Sequence, residues 1–375
     1  MPGSDAERVR LLVLFGGRSA EHEVSCITAV SVLRAVDPNR YDVVPVGITR
    51  DGRWVLAEEA QRLLAGGGPA ALPPALEAKG TELQPFATLE PASGPVVVFP
   101  VLHGPFGEDG TVQGLCELAG VPYVGSGVLG SAAAMDKVTT KHLLVAAGLP
   151  VPRFLGLREN QIDPQLAARV AAELGWPAFV KPANLGSSVG VSKVGGPREL
   201  DAAVQEALGY DEWVVIEEAV AGREIECGVL GDVEPEASVP GEIRPSRDFY
   251  DYEDKYLEGK AELLVPAPLP EDVTAEVRRL ALAAFRAVRA EGMARVDFFY
   301  EEDGRGLLVN EVNTIPGFTP ISMYPRMWEA SGVPYSALVD RLVQLALARH
   351  VRRQGRVGRD RAPHEHGPRD APPGT

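Results

Sequence analysis

The sequence predicts a mixed chain: an α/β domain with a parallel sheet up to about Gly130, followed by α+β units built on antiparallel sheet. Three observations carry that reading. In the first third, strand-length apolar runs alternate with stretches of helical periodicity, the pattern of a parallel sheet wrapped by helices. Further on, a small polar loop at 184–190 separates two strand-like runs, which makes a hairpin. Near the end, runs at 292–300 and 306–313 flank the turn-rich segment Glu301-Glu302-Asp303-Gly304-Arg305, a second hairpin.

In order, residues 8–15 read as a buried strand that Gly16-Gly17 ends, with helical periodicity from 23 to 36. Strands follow at 41–48 and 96–101, the latter running into the glycine-rich HGPFGEDG. The domain is therefore Rossmann-like, although its first strand lacks the G-x-G-x-x-G fingerprint of dinucleotide binding. Residues 65–95, rich in Gly, Ala and Pro, read as a surface insertion. A second unit, 131–238, opens with a helix carrying Lys137. It continues with strands at 177–181 and 191–194, a helix at 199–209, and strands at 213–218 and 224–230. A third, 239–350, holds a long polar and aromatic loop at 242–266, a helix at 271–291, the second hairpin and a final helix at 335–350. Residues 351–375, Pro/Gly-rich and partly basic, read as a disordered tail.

Composition excludes several classes. No apolar run approaches the roughly 20 residues that span a bilayer, and the polar N-terminus has no export-signal core. A net charge of −15 opposes nucleic-acid binding, and the basic segment at 349–361 leads only into the tail. Cys26, Cys116 and Cys227 show neither disulfide nor metal spacing, which fits a reducing cytoplasm. His350, His364 and His366 have no metal spacing either.

The second hairpin carries the most chemistry. Paired without a bulge, it sets Asp297 opposite Glu311 and Arg295 opposite Asn313, all on one face. Opposed carboxylates in a half-buried sheet repel and need a cation. Two carboxylates and an amide oxygen suit Mg²⁺; the competing reading is a structural network in which Arg295 bridges both acids. Downstream, Gly317 can let backbone amides approach a ligand, and a helix starting near Ser322 would present N–H groups to an anion; the alternative is that Pro316-Gly317 is simply a turn.

The first hairpin loop, Asn184-Leu185-Gly186-Ser187-Ser188-Val189-Gly190, offers backbone N–H groups and two hydroxyls to a phosphate chain, though it is no Walker A loop. Lys181 ends the preceding apolar strand, where its charge needs an anion, either phosphate or a nearby carboxylate. Glu217 and Glu224 flank a turn containing Gly222; they either accept from ribose hydroxyls or are surface charges.

Together these segments closely resemble the D-alanine–D-alanine ligases of the ATP-grasp superfamily. The resemblance runs from about Val9 to Ala348, leaving out 65–95 and the tail. It is carried by Gly16-Gly17-Arg18-Ser19-Ala20-Glu21-His22-Glu23-Val24-Ser25 and Leu102-His103-Gly104-Pro105-Phe106-Gly107-Glu108-Asp109-Gly110. Met135-Asp136-Lys137, Val180-Lys181-Pro182 and the loop at 186–190 add to it. So do Tyr250-Asp251-Tyr252-Glu253-Asp254-Lys255-Tyr256, Arg295-Val296-Asp297 and 310–325.

The resemblance implies an ATP-grasp fold behind the Rossmann-like domain, which would hold the first D-alanine. It implies that one D-alanine carboxylate attacks the γ-phosphate of ATP and that the amine of a second D-alanine displaces phosphate. Asp297, Glu311 and Asn313 would hold two Mg²⁺, with Mn²⁺ an alternative. Lys137, Lys181, Ser187 and Ser188 would bind ATP phosphates, Glu217 and Glu224 the adenosine part. Arg295 and the Gly317 amide would stabilise the oxyanion. Glu21 would pair with the first ammonium and His103 help hold that substrate, while Ser322 and Met323 would meet the second carboxylate. The loop at 242–266 would be a lid that brings Lys255 to the transferring phosphate. Tyr256 would join Glu21 and Ser187 in one hydrogen-bonded group. That tyrosine is replaced in the related D-alanine–D-lactate ligases, so it favours an amine as second substrate. A D-alanine–D-lactate or D-alanine–D-serine ligase, and a non-catalytic nucleotide or amino-acid sensor, are the competing functions. A homodimer and a role in peptidoglycan precursor synthesis are further implications.

Overall fold

A computed structural model describes residues 8–90, 94–245, 261–319 and 321–356. The first sheet is built around β1 (Val9–Gly16), parallel to both β2 (Tyr41–Ile48) and β5 (Val96–Pro100). Its unbroken apolar run is explained by burial on both faces. Leu11, Val13 and Phe15 meet Ala29, Val30 and Leu33 of α1 (His22–Ala35) on one side. Further helices in this part are α2 (Glu58–Gly67), α3 (Pro85–Leu89) and α4 (Thr111–Ala119). On the other side of the sheet, Leu12 and Leu14 meet Val112 and Cys116 of α4. Two short strands, β3 (Trp54–Leu56) and β4 (Thr81–Leu83), extend the β2 edge antiparallel, so the sheet is mixed rather than purely parallel. The stretch read as a surface insertion supplies β4 and α3, and its Leu72, Leu76 and Leu89 are buried. A three-residue strand and a five-residue helix are too short to display a period.

Two helices follow instead of one, α5 (Val128–Met135) and α6 (Lys137–Ala146). Asp136 separates them, its carboxylate accepting from the Thr139 amide at 2.6 Å as a helix cap. Lys137 is thus the first residue of α6. Beyond it, β6 (Phe154–Arg158), β7 (Ala178–Pro182), β8 (Ser192–Val194) and β9 (Trp213–Glu218) make an antiparallel sheet in the order β6-β9-β7-β8. Helices α7 (Leu166–Glu173) and α8 (Pro197–Leu208) cover one face, and Val138 of α6 meets Val215 on the other.

The third sheet contains β10 (Arg223–Gly231), β11 (Glu236–Ala237), β12 (Gly241–Arg244), β13 (Glu262–Leu264), β14 (Gly292–Glu301) and β15 (Gly306–Asn313). Its order is β13-β12-β10-β14-β15, with β11 also on β10. Helix α9 (Glu271–Ala287) packs on one face and stops short of the expected 291, because Arg289 turns left-handed at φ +58°. Both ends of the stretch read as a loop, 242–266, are strands: β12 and β13 pair antiparallel, Glu242 opposite Leu264. Lys255 and Tyr256 lie outside the described residues.

The chain closes with α10 (Met323–Ala330) and α11 (Tyr335–Gln354). Leu338, Val339, Leu342 and Val343 of α11 share the core of the first sheet with Leu11 and Phe15, so the last helix buttresses the first domain. The basic segment read as the start of a tail is partly this helix. Arg349 is buried and donates to the carbonyls of Tyr123 (2.5 Å) and Gly125; Arg353 reaches Glu117 (2.8 Å) and Glu291 (2.5 Å). Among the described residues no helix is long and apolar enough to cross a membrane. Leu342→Ala should cost about 3 kcal/mol in urea unfolding; a loss below about 1 kcal/mol would contradict this packing.

Candidate active site

Arg295 pairs with Asn313 and Asp297 with Glu311, the register expected at those four residues. The bulge-free pairing fails beyond them: Phe298 faces Val309, which leaves Asn310 as an extra residue on β15. The cause is core packing. Val296 and Phe298 alternate on β14, and Leu307, Val309 and Val312 of β15 join the same core; the extra residue lets Val309 and Val312 do so together, while Leu308 is buried as well. The polar face is thereby kept in register, and the Asn310 carbonyl turns to Lys141 Nζ at 3.4 Å.

On that face Arg295 donates twice to Asp297, from Nε and Nη2, both at 2.7 Å. Its Nε also lies 3.2 Å from Glu226 Oε1. Glu226 is opposite Asp297 on β10, so Glu226, Asp297 and Glu311 form one row across three strands. Sequence reading missed Glu226, although its alternation with Ile225 and Cys227 placed it beside Glu224. Asn313 Nδ2 donates to Asp297 at 3.0 Å and to Glu311 at 3.2 Å. Arg295 does bridge acids, but they are Asp297 and Glu226 rather than Asp297 and Glu311, the pair expected of a structural network; the Asp297–Glu311–Asn313 donors remain an all-oxygen set once the amide rotates. That set fits a hard divalent cation. Among the described residues no three His, Cys, Asp or Glu side chains enclose a metal position, so solvent or phosphate oxygens would complete the shell, as Mg²⁺ prefers.

Beside the hairpin, Glu217 is buried between two lysines: Lys181 at 2.9 Å and Lys141 at 3.2 Å. Burial alone would raise its pKa; Lys141 and Lys181 outweigh it and hold the carboxyl at about 2. Lys141, also buried, was missed; it lies one helical turn after Lys137 and its ammonium stands 5.8 Å from the Phe154 ring. Lys137 donates to the Leu185 carbonyl at 2.5 Å. Burial lowers its pKa while Glu311 opposes, which places Lys137 in the field of the hairpin. Lys141→Met should cost about 3–5 kcal/mol, since Glu217 keeps only half its counter-charge. Glu217 is depressed on folding, so its contribution is present above about pH 4.5 and fades toward pH 2. Glu217 stays ionised at both, so the Lys141→Met loss should be present in urea melts at pH 6 and at pH 8; a loss that vanished at pH 8 would contradict the pairing.

In the glycine loop, Ser187 and Ser188 are both left-handed, at φ +51° and +59°, a strain of about 1 kcal/mol or more each. The loop reaches the first domain, where the Ser187 hydroxyl donates to Glu21. Glu21 precedes α1 but does not cap it; its carboxylate faces the loop instead. A Cβ on Gly186 would stand 2.7 Å from that carboxylate and one on Gly104 2.8 Å, so both glycines leave room for Glu21 as placed, and Gly104 also turns left-handed at φ +73°.

His103 is buried, with Nδ1 3.2 Å from the Ile315 carbonyl and Nε2 3.3 Å from the Thr28 hydroxyl. A carbonyl only accepts, which puts the proton on Nδ1. Burial, against the raising effect of Glu21, lowers its pKa and keeps it neutral. Both ring nitrogens are thus engaged by protein groups. Glu108, also missed, accepts from the Gly104 amide at 2.7 Å; burial and then the Glu21 charge push it up to about 8.

The segment after β15 is tied to the first sheet by Phe318, whose ring lies 6.2 Å from Phe99 and 5.5 Å from Tyr324. This fixes Gly317 beside Ser322, whose Oγ would be 2.9 Å from a Cβ there. Ser322 Oγ accepts from the Thr319 amide at 3.0 Å and sits at the N-cap of α10. The Met323 side chain is buried with Ile243 and Met327, leaving its backbone N–H as the group able to meet an anion. Glu224, on β10 opposite Phe299, belongs to a different sheet from Glu217, with the 219–222 turn between them.

The sequence matches two family models, described as "D-ala D-ala ligase N-terminus" over residues 10–126 and "D-ala D-ala ligase C-terminus" over 143–344. It is 52% identical to a D-alanine–D-alanine ligase of Mycobacterium sp. (strain KMS), covering 92% of this chain and 97% of that one. It is also 52% identical to one from Deinococcus radiodurans, covering 90% and 98%. Among solved structures, the D-alanine–D-alanine ligase from Coxiella burnetii superposes with a TM-score of 0.77 at 37% identity, over 93% of this chain and 97% of that one. The VanG D-Ala:D-Ser ligase from Enterococcus faecalis gives 0.77 at 35%, over 91% and 100%.

Proposed function

The chain belongs to the D-alanine–D-alanine ligase family, and from that premise we propose how its own residues join two D-alanines at the expense of ATP. The first D-alanine carboxylate attacks the γ-phosphorus; the P–O bond to ADP breaks and a D-alanyl phosphate forms. The amine of the second D-alanine then attacks the acyl carbon. Collapse of the tetrahedral intermediate expels phosphate, with loss of the amine proton, and leaves D-alanyl-D-alanine.

Each residue has a part. Lys137 and Lys181 grip the ATP phosphates, with Ser187, Ser188 and the loop amides above them; Glu217 and Glu224 receive the adenosine part. Asp297, Glu311 and Asn313 would hold two Mg²⁺, or Mn²⁺, which when bound neutralise phosphate charge. Arg295 and the Gly317 amide meet the oxyanion. Glu21 holds the first ammonium, with His103 shaping that end of the site. Ser322 and the Met323 amide receive the second carboxylate. Lys255 and Tyr256, outside the described residues, would complete the phosphate and amine ends. The observation that carries this reading is convergence: Lys137 donates to Leu185 of the glycine loop, Ser187 of that loop bonds Glu21 of the first domain, and Arg295, Asp297, Glu311 and Asn313 share one face of the hairpin.

The product serves peptidoglycan precursor synthesis in the cytoplasm, and the enzyme acts as a homodimer. D-serine is the second acceptor to weigh, because a D-Ala:D-Ser ligase superposes as well as a D-alanine enzyme does. Phosphate release at neutral pH decides. D-alanine alone should support full turnover, with D-serine or D-lactate adding little; no turnover on D-alanine alone would overturn the substrate assignment.

A further inference from the structure

We propose that Glu226 is a positioning residue: it holds Arg295 when a divalent cation takes Asp297. This rests on the assignment of Asp297 as a cation ligand. In the described arrangement both Asp297 oxygens are engaged by Arg295, Oδ1 by Nε and Oδ2 by Nη2, each at 2.7 Å. A cation bound to Asp297 repels that guanidinium and competes for the same oxygens. Arg295 is largely buried, 19% exposed at the side chain, and cannot be left without a counter-charge.

Glu226 supplies one on the right side. The row runs Glu226, Asp297, Glu311, so a cation between the last two leaves Glu226 on the far flank. Its side chain is 6% exposed, and its Oε1 already lies 3.2 Å from Arg295 Nε, the nitrogen shared with Asp297. Transfer of the guanidinium from Asp297 to Glu226 needs little motion. Cation loading and placement of the oxyanion-binding arginine are then one coupled event, and Glu226 affects the cation only through Arg295.

The test is Mn²⁺ binding to the full chain with ADP present and no amino acid, read by the electron paramagnetic resonance of free Mn²⁺. Glu226→Gln should weaken binding about tenfold, because Arg295 stays on Asp297. Arg295→Gln should tighten it. In the Arg295→Gln background, Glu226→Gln should change binding by less than about twofold. Equal weakening in both backgrounds would mean that Glu226 acts by its field alone and would overturn the proposal, as would no weakening at all. Should Arg295→Gln not fold, Arg295→Lys replaces it: a single ammonium cannot bridge both acids, and the Glu226→Gln effect should again shrink. Asp297→Asn separates the two claims. If it binds Mn²⁺ like the parent, the ligand assignment fails, whatever Glu226 does.

Discussion

Glu311→Gln and Asp297→Asn should each lower kcat about 10³-fold or more, since under the proposed assignment each removes a carboxylate ligand of the cations that would neutralise phosphate charge. Their stabilities should diverge. Two opposed carboxylates repel, so Glu311→Gln relieves charge facing Asp297 but also removes the acid that supports buried Lys137; the two effects oppose, and unfolding should shift by less than about 1 kcal/mol. Asp297→Asn instead strips Arg295 of two charge-assisted hydrogen bonds and should cost about 2 kcal/mol. Coupled phosphate release and urea unfolding on the same preparations check both halves. Near-normal turnover in either variant would sink the cation assignment; equal stabilities would sink the account of Arg295.

Lys181→Met should raise the KM for ATP about 100-fold while leaving the KM for D-alanine within about twofold. Lys181 is the more exposed of the two lysines on Glu217, at 15% against 1% for Lys141. It is free to turn to a phosphate while Lys141 keeps Glu217 compensated. The two variants should therefore separate: Lys141→Met fails in stability, Lys181→Met in nucleotide affinity. A Lys181→Met enzyme with normal ATP dependence would show that this lysine only neutralises Glu217.

Much of the site was legible because its elements obey strong periods. Alternation on β14 put Arg295 and Asp297 on one face, and the short polar loop between two runs marked a hairpin. The bulge at Asn310 was not legible: Leu307, Leu308 and Val309 are all apolar, so a regular strand placing Leu308 and Val312 on one face fits the same sequence. Lys141 was hidden by its own burial, since a lysine one turn beyond Lys137 reads as surface until a buried acid is found opposite. Arg349 and Arg353 were misread for the same reason: a charge run looks solvated, yet their partners Tyr123, Gly125, Glu117 and Glu291 are distant in sequence. Strand β4 and helix α3 are held by tertiary contacts, not by a local pattern, and a Gly-, Ala- and Pro-rich stretch gave no hint of them.

In the proposed reaction, phosphate leaves on an oxygen that began in the first D-alanine carboxylate. D-alanine carrying oxygen-18 in both carboxylate oxygens, with unlabelled ATP and water, tests it by mass spectrometry of the released phosphate. Each phosphate should carry one labelled oxygen, and the new peptide carbonyl one. Unlabelled phosphate alongside fully labelled D-alanine would mean that water, not the carboxylate, attacks ATP, and would contradict it.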